Sequence, residues 1–386
     1  MKRINRIVAC SLVLAFSGMC MSSARADRDE KRLSRVDPVV KQRAEEAQKQ
    51  ALTYLESTQN FDGGWNGFLG SDPAITALVA KCFAQHPDYG TNHPIVKRAF
   101  DFILKYVQDD GGIYIPAQGL HNYYTSVIVM SLATSDDPEI KKVVANAQKY
   151  LAKIQWDEGE EKNPSDPFYG GAGYGRHKRP DLSNTQMMLE ALHESGLSPE
   201  DPVFKKALVF VSRCQMLEET NDQPFAKGGD GGFVYSAASG GVSKAGSIDG
   251  PGETKILRSY GSMTYAGFKS MLYAQVSKDD VRVQRAFQWI RNNYTLTKNA
   301  NMPADQSKQG LYYYLHTFAR ALDAWGEDVV VDGASVQHEW RVELCRQLFL
   351  LQRSDGSWVN EEDRWFESNP SLVTAYAVLA LQTAIR

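Results

Sequence analysis

The chain contains the heptapeptide Gln59-Asn60-Phe61-Asp62-Gly63-Gly64-Trp65 and, near its other end, the similar heptapeptide Gln352-Arg353-Ser354-Asp355-Gly356-Ser357-Trp358. Each follows an amphipathic segment and precedes a more apolar segment that has a threonine near its start, Thr76 in the first case and Thr374 in the last. Further glycine–aromatic turns lie between them, at 111–114, 170–174, 231–233 and 310–312. Self-similarity of this kind indicates a chain that is built from repeats.

Each of the six repeats contains two predicted helices. The first helix is amphipathic, ends near a glutamine or asparagine, and occupies residues 45–59, 94–108, 140–155, 202–215, 281–293 and 338–352. The second helix is apolar on nearly every side and opens around a threonine: Thr76, Thr125, Thr185, Thr264, Thr317 and Thr374. The glycines between the two helices favour a helix end, because glycine readily adopts the left-handed backbone found there. The longest connection, in the fourth repeat, contains a glycine-rich insertion at about 217–257.

The two kinds of helix predict two concentric layers. An amphipathic helix buries one face, whereas a helix that is apolar all round must be covered on every side. Six apolar helices inside a ring of six amphipathic helices satisfy both requirements, and closing the ring leaves no uncapped repeat at either end. We therefore predict an all-α fold, an α/α toroid or (α/α)6 barrel of six helical hairpins, over residues 44–386.

The first 26 residues have the pattern of a secretory signal peptide. They begin with the basic residues Lys2, Arg3 and Arg6, continue with an apolar run at 7–16, and end in an A-x-A site at 24–26. Cleavage after Ala26 would give an exported protein, periplasmic or secreted, in which residues 27–43 form an N-terminal leader to the toroid.

Charge and composition exclude several classes of function. The formal net charge is −3, and loss of the signal peptide, which has four basic and no acidic residues, makes it −7. Nucleic-acid binding needs clustered positive charge, so no nucleic-acid partner is expected. No apolar run reaches the roughly 20 residues that span a membrane. Cys82, Cys214 and Cys345 are widely spaced and are expected to be core residues rather than disulfide partners.

The two heptapeptides resemble the Q-x-x-x-G-x-W repeats of squalene cyclases. With the inner helices that open around a threonine, they make residues 44–386 similar to the terpenoid cyclase and protein prenyltransferase α/α-toroid superfamily. The resemblance implies a central cavity that binds isoprenoid chains, with the chemistry near the N-termini of the inner helices.

Neither reaction centre that the resemblance implies is complete. Squalene cyclases carry D-x-D-D-T, but the corresponding Asp181-Leu182-Ser183-Asn184-Thr185 has serine in place of the proton donor, and a hydroxyl is too weak an acid to protonate an alkene. Protein prenyltransferases bind zinc through Asp, Cys and His. Here Tyr314-Leu315-His316-Thr317 supplies a histidine, whereas Tyr260-Gly261-Ser262-Met263 supplies neither other ligand. No metal and no cofactor are therefore expected.

The N-termini of the inner helices are expected to meet at one end of the ring, as a polar and aromatic collar above an apolar bore. Such a mixture is typical of ligand sites, and ligand-binding roles are predicted for Tyr123, Tyr124, Ser183, Asn184, Tyr312 and Tyr313. In a catalyst, His316 would act as base or hydrogen-bond donor, Asp181 would orient it or a water, and Tyr260 would stabilise positive charge through its ring. Free N–H groups at the collar would suit an anion or polar head group. The basic stretch 176–179 either binds a phosphate or is a solvated loop.

The sequence leaves three functional hypotheses. The first is an exported toroid that holds an apolar, isoprenoid-like small molecule, with transferase or cyclase chemistry left open. The second is a non-enzymatic interaction module that binds a secreted protein or a surface polymer, and a bore plugged by side chains would favour it. The third is a polysaccharide lyase or hydrolase, which needs an Arg or Tyr base or paired carboxylates. The oligomeric state is not predicted. The insertion at 217–257 is either a lid over the collar or a disordered surface loop.

Overall fold

The computed structural model describes residues 36–250 and 255–386, in which twelve α-helices form six consecutive pairs. The outer helices are α1 (Pro38–Ser57), α3 (Pro94–Leu104), α5 (Pro138–Lys153), α7 (Pro202–Arg213), α9 (Val281–Asn292) and α11 (Trp340–Leu351). The inner helices are α2 (Pro73–Ala84), α4 (His121–Leu132), α6 (Leu182–Glu194), α8 (Gly261–Tyr273), α10 (Leu311–Trp325) and α12 (Pro370–Ala384). The predicted all-α toroid is confirmed, whereas the predicted signal peptide lies outside the described residues.

The inner helices form a closed ring. Each packs against the next inner helix along the chain, and α12 packs against α2 to complete the circle. The outer helix α1 packs against α11 and α12 of the last repeat. The first and last repeats are therefore neighbours in space.

Burial separates the two layers as the sequence pattern predicts. All residues of α12 from Ser371 to Ala384 are buried. The outer helix α5, in contrast, buries only the stripe Val144, Ala147, Tyr150 and Leu151, which is the spacing of one helix face.

In four of the six repeats the glutamine at the end of the outer helix joins its repeat to the next. The side-chain amide of Gln59 donates to Gly63 O within its own turn, at 2.9 Å, and to Ile95 O of the following outer helix, at 3.0 Å. The amide of Gln352 makes the equivalent pair of bonds to Gly356 O and to Ala47 O, so that it links the last repeat to the first. These bonds supply a donor to the turn carbonyls of Gly63 and Gly356.

In five of the six repeats the threonine ties the turn to the inner helix that follows. The backbone N–H of Trp65 donates to Thr76 Oγ1, and that of Trp358 donates to Thr374 Oγ1, each at 3.0 Å.

Gly63 shows why the turn needs glycine. Its φ is +93°, and a Cβ atom there would lie 2.3 Å from Arg98 O.

Three short antiparallel hairpins decorate the loops: β1 (Trp65–Asn66) with β2 (Ser71–Asp72), β3 (Ser247–Asp249) with β4 (Lys255–Leu257), and β5 (Val329–Val331) with β6 (Gln337–Glu339). The second hairpin belongs to the glycine-rich insertion. That insertion folds back over the start of α6, where Tyr235 O accepts from Leu182 N at 2.7 Å and Ser236 Oγ donates to Pro180 O at 2.6 Å. Among the helices of residues 36–250 and 255–386, none is long and apolar enough to cross a membrane.

Candidate functional site

A cavity of about 380 Å³ lies among the N-terminal ends of the inner helices. All six inner helices, or the loops that lead into them, contribute to its wall. The wall is largely aromatic, with ten rings from Phe68, Tyr123, Tyr124, Tyr174, Tyr235, Tyr260, Tyr313, Trp365, Phe366 and Tyr376. Its polar side chains are Asp72, Gln118, Ser183, Ser262 and Glu367. The bore is therefore open at this end, and its shape and composition are those of a small-molecule site.

Five of the residues that the sequence singled out line this cavity: Tyr123, Tyr124, Ser183, Tyr260 and Tyr313. Tyr313 reaches across the bore, because its hydroxyl lies 3.0 Å from Ser183 Oγ and accepts from Gln186 Nε2 at 3.1 Å. It thereby connects α10 to α6, two helices that are not adjacent in the ring. The structure thus brings these five residues to one chamber.

Asp181 and Asn184 lie behind the wall. Asp181 is buried, with only 2% of its surface exposed, and caps α6 by accepting from Asn184 N at 2.9 Å. The Asn184 amide donates to both carboxylate oxygens of Asp181. Burial raises the pKa of Asp181 to about 6, although bonds from Asn184 and Tyr235 oppose the shift. Asp181 therefore meets the cavity only through Tyr235, which lines it.

Tyr312 and His316, on α10, are also absent from the cavity wall. Tyr312 is buried, and its backbone N–H donates to Glu367. The His316 ring stacks on Tyr376 with centroids 5.5 Å apart. Burial lowers the pKa of His316 to about 3, so its imidazole is neutral near pH 7. His316 consequently faces the cavity through Tyr376 rather than directly.

The free N–H groups expected at the collar are occupied, and this part of the expectation is wrong. Side chains cap α2, α6 and α12 through Asp72, Asp181 and Asn369. The N-termini of α4, α8 and α10 donate to Tyr174 O, Asn299 Oδ1 and Glu367, respectively. Because each N-terminus already has an acceptor, often an anionic one, the interior offers no ready anion site.

Two carboxylates of the cavity wall, Asp72 and Glu367, were not among the predicted site residues. Asp72 accepts from Ala74 N and Ile75 N and also from the Tyr124 hydroxyl, at 2.6 Å. An aspartate directly before Pro73 is a recognisable helix start, so the sequence held a local indication of this cap.

Glu367 had no such indication. It precedes α12 but caps α10, the inner helix of the previous repeat, by accepting from Tyr313 N at 2.8 Å. Asn360 Nδ2 donates to its second oxygen at 2.7 Å. Burial nevertheless raises the pKa of Glu367 to about 7. The cavity wall therefore holds a carboxyl group that titrates near neutral pH.

A network of charged side chains crosses the bore on the side away from this cavity. Lys269 donates to Glu190 at 2.5 Å, and Arg320 Nε donates to the other oxygen of Glu190 at 2.8 Å. Glu194 pairs with both Arg320 and Lys81. These five groups come from inner helices α2, α6, α8 and α10. The cavity consequently opens at one end of the ring only.

Within the described residues, no group of three or more His, Cys, Asp or Glu side chains is arranged to hold a metal ion. Cys82, Cys214 and Cys345 are each buried as free thiols. His316 has ring and charge neighbours rather than further ligands.

Comparison with known proteins identifies the fold. No protein-family model and no curated protein matches the chain. A type II terpene cyclase from Scytonema matches with a TM-score of 0.52 and 14% identity, over 89% of this chain and 98% of that one. A cellobiose 2-epimerase from Spirochaeta thermophila matches with 0.54 and 14%, over 91% and 98%. A family 88 glycosyl hydrolase from Bacteroides vulgatus matches with 0.52 and 9%, over 90% and 99%.

At these identities the likeness concerns the fold alone. The epimerase and the hydrolase match as well as the terpene cyclase does, so the comparisons do not single out the terpenoid cyclase family. They support the coarser part of the resemblance: the chain has the α/α-toroid fold that enzymes of several different activities share.

Proposed function

We propose that this protein is exported and binds an apolar, isoprenoid-like small molecule in the aromatic cavity of its inner ring. The open chamber is the observation that supports this proposal. Its volume of about 380 Å³ falls in the range of small-molecule sites, roughly 300–1,000 Å³. A non-enzymatic interaction module would bind its protein or polymer partner through its outer surface and would not require such a chamber.

The proposal extends to chemistry of transferase or cyclase type on that ligand. Tyr260 lines the cavity, and its ring would stabilise positive charge that develops on the ligand. Asp181 and His316 would act as positioning residues, since each lies behind a lining tyrosine. Asp181 would orient Tyr235, and His316 would orient Tyr376.

Sugar chemistry is the second candidate, and one observation favours it. Asp72 and Glu367 both line the cavity, and paired carboxylates are what a glycoside hydrolase requires. Both groups are engaged as helix caps, and most of the wall is aromatic. We therefore rank this candidate below binding of an apolar ligand.

Binding of farnesol, followed by quenching of intrinsic fluorescence, tests the proposal. We expect saturable binding that Met187→Trp weakens at least tenfold, because Met187 lines the cavity and a larger ring would fill it. Leu350→Trp is the control, since Leu350 is 80% exposed on outer helix α11. Titration with cellobiose in the same assay tests the second candidate, sugar chemistry.

Three results would overturn the proposal: no farnesol binding, equal binding by both variants, or tighter binding of cellobiose than of farnesol. Thermal unfolding of each variant shows that a loss of binding reflects the cavity rather than the fold. Export is tested separately by intact mass and N-terminal sequencing of protein recovered from the periplasm and medium. We expect a chain that begins at Asp27, and a chain retaining residues 1–26 would contradict export.

A further inference from the structure

One loop of the last repeat has its two ends bonded to each other. Asn360 N donates to Glu367 O at 3.0 Å, and Asn360 Nδ2 donates to Glu367 Oε2 at 2.7 Å. The ends are also fixed to the preceding repeat, because Asn360 Nδ2 donates to Lys308 O. Glu367 accepts from Tyr313 N. Residues 361–365 between these ends are exposed. A surface loop of this form is an Ω-loop, a class that is often functional.

Two aromatic residues of this loop, Trp365 and Phe366, line the aromatic cavity. Trp365 has a φ of +62° and Phe366 a φ of +67°, and this left-handed backbone is strained for bulky side chains. The Trp365 ring rests on Gly310, where a Cβ atom would lie 3.1 Å from two atoms of the ring. Trp365 nevertheless remains 41% exposed. A strained backbone thus holds this part of the wall in place with little burial to stabilise it.

The middle of the loop has few bonds to the rest of the protein. Among the described residues, one hydrogen bond joins residues 361–366 to any residue outside 360–369. In that bond, Arg364 Nη1 donates to Gln309 Oε1 at 2.9 Å. A segment that has fixed ends, exposed residues and few bonds between them opens at a low cost in free energy.

The glycine-rich insertion at 217–257, which the sequence allowed as a lid, is held more firmly where it meets the cavity. Tyr235 lines the cavity and is only 8% exposed, and Tyr235 O accepts from Leu182 N of α6. Further along the insertion, Asp230 accepts from Ser259 Oγ at 2.7 Å and from Trp289 Nε1 at 2.9 Å. The loop between Asn360 and Glu367 is therefore the better candidate for a moving part.

We propose that residues 361–366 form a flap that opens to admit the ligand to the aromatic cavity and then closes over it. This inference rests on the proposed function, since it concerns how a ligand reaches the same cavity. Asn360 and Glu367 are the fixed ends of the flap. In the closed flap Trp365 and Phe366 complete the cavity wall, and opening relieves the strained backbone at both residues. A flap of this kind sets the rates at which ligands enter and leave a site.

Arg364→Ala tests the flap without altering the cavity, because Arg364 is exposed and is not among the lining residues. Loss of its bond to Gln309 should favour the open flap by about fivefold, the usual effect of one hydrogen bond. In stopped-flow measurements with farnesol, the association and dissociation rate constants should both rise by about that factor, with little change in affinity. Arg346→Ala is the control, at an exposed arginine of outer helix α11.

Trp365→Ala distinguishes a flap from a fixed wall. In a fixed wall, loss of the ring would remove a contact with the ligand and raise the dissociation rate constant alone. In a flap, the ring also blocks entry, so the association rate constant should rise as well. We expect both to rise, and dissociation by about tenfold, because the contact is lost in addition. Thermal unfolding of each variant shows whether the fold is intact.

Limited proteolysis with chymotrypsin follows the flap in the absence of ligand, because this protease cleaves after aromatic residues. Cleavage after Trp365 or Phe366 should occur in the folded protein and should be about fivefold faster in Arg364→Ala, in proportion to the open population. Saturating farnesol should slow it. Phe61 is a fully exposed residue of the first turn, and cleavage after it should not change.

The outcomes separate the flap from the apolar site. Unchanged rate constants in Arg364→Ala, or a rise in dissociation alone in Trp365→Ala, would overturn the flap and leave the apolar site standing. Resistance of the folded wild type to cleavage at 365–366 would overturn the flap as well. If farnesol does not bind at all, the apolar site fails, and the proteolysis alone decides whether the flap opens.

Discussion

The hydroxyl of Tyr313 on α10 lies 3.0 Å from the hydroxyl of Ser183 on α6, so that a hydrogen bond crosses the bore between inner helices that are not neighbours in the ring. The Gln186 amide donates to the same phenol at 3.1 Å. Both bridged residues, Tyr313 and Ser183, are part of the wall of the aromatic cavity. Together with the ion pair between Arg320 on α10 and Glu190 on α6, the bridge ties two opposite sides of the ring to each other.

Tyr313→Phe should therefore destabilise the protein. The substitution removes the hydroxyl that bonds Ser183 and Gln186 and leaves the buried Gln186 amide without its partner, at an expected cost of about 1–3 kcal/mol in the free energy of unfolding. Urea denaturation followed by circular dichroism measures it. Tyr312→Phe is the matched control, because no hydrogen bond of its hydroxyl is found among the described residues. Equal stability of the two variants would contradict the bridge.

The raised pKa of Glu367 predicts how the stability of the protein depends on pH. Burial raises its pKa to about 7 in the folded state, against about 4.3 for an exposed glutamate. The folded protein thus holds this proton more tightly than the unfolded chain does. The protonated Glu367 therefore contributes about 3–4 kcal/mol to the free energy of unfolding below about pH 4.3. This contribution is lost as the pH rises through about 7.

Comparison of the wild type with Glu367→Gln isolates this contribution. Relative to the variant, the wild type should lose stability between about pH 4.3 and 7, as measured by urea denaturation at a series of pH values. Glu361→Gln, at an exposed residue of the same loop, should track the wild type throughout. Parallel pH profiles of wild type and Glu367→Gln would show that Glu367 titrates normally.

The charged half of the bore gives a third prediction. Lys269 is 1% exposed and pairs with Glu190, which is 2% exposed. Lys269→Met would leave the buried carboxylate with Arg320 alone, and breaking a buried pair in this way costs about 3–5 kcal/mol. The double variant Lys269→Met with Glu190→Gln should recover part of that loss, since it removes the unpaired charge.

Thermal and urea unfolding of the single and double variants test the prediction. Lys255→Met is the control, because Lys255 and its partner Asp249 are both exposed; breaking that surface pair should cost less than about 1 kcal/mol. If Lys269→Met loses no more stability than Lys255→Met, the bore tolerates an unpaired charge.

The ring of helices could be predicted from the sequence because the repeated residues act locally. Gln59, Gly63 and Thr76 each form or permit bonds within one turn and its neighbouring helices, so their recurrence predicts the recurring hairpin. Tyr123 and Tyr313 could be placed at the cavity for the same reason, since each occupies the first turn of an inner helix.

The rest of the site depends on contacts between repeats. Glu367 caps a helix that begins at Leu311, and Lys269 pairs with Glu190 on the neighbouring inner helix, which belongs to the previous repeat. A pattern within one repeat cannot reveal such partners. His316 lies in the second turn of α10, and its direction there brings it behind Tyr376, which spacing along one helix does not determine.

Closure of the ring provides the last prediction. Gln352 donates to Ala47 O at 2.9 Å and to Gly356 O at 3.0 Å, which joins outer helix α1 to the turn that follows α11. Gln352→Ala removes both bonds and leaves the carbonyl of Gly356 without its donor, for a loss of about 1–3 kcal/mol. Because the seam lies between the first and last repeats, amide hydrogen exchange should quicken chiefly in α1 and α11, with α6 and α8 on the far side of the ring little changed. Gln288→Ala, at an exposed residue of α9 whose amide bonds Arg291 and Asn292 on the same helix, should alter neither stability nor exchange. Faster exchange spread evenly around the ring would mean that the repeats unfold as one unit and that this seam has no separate weakness.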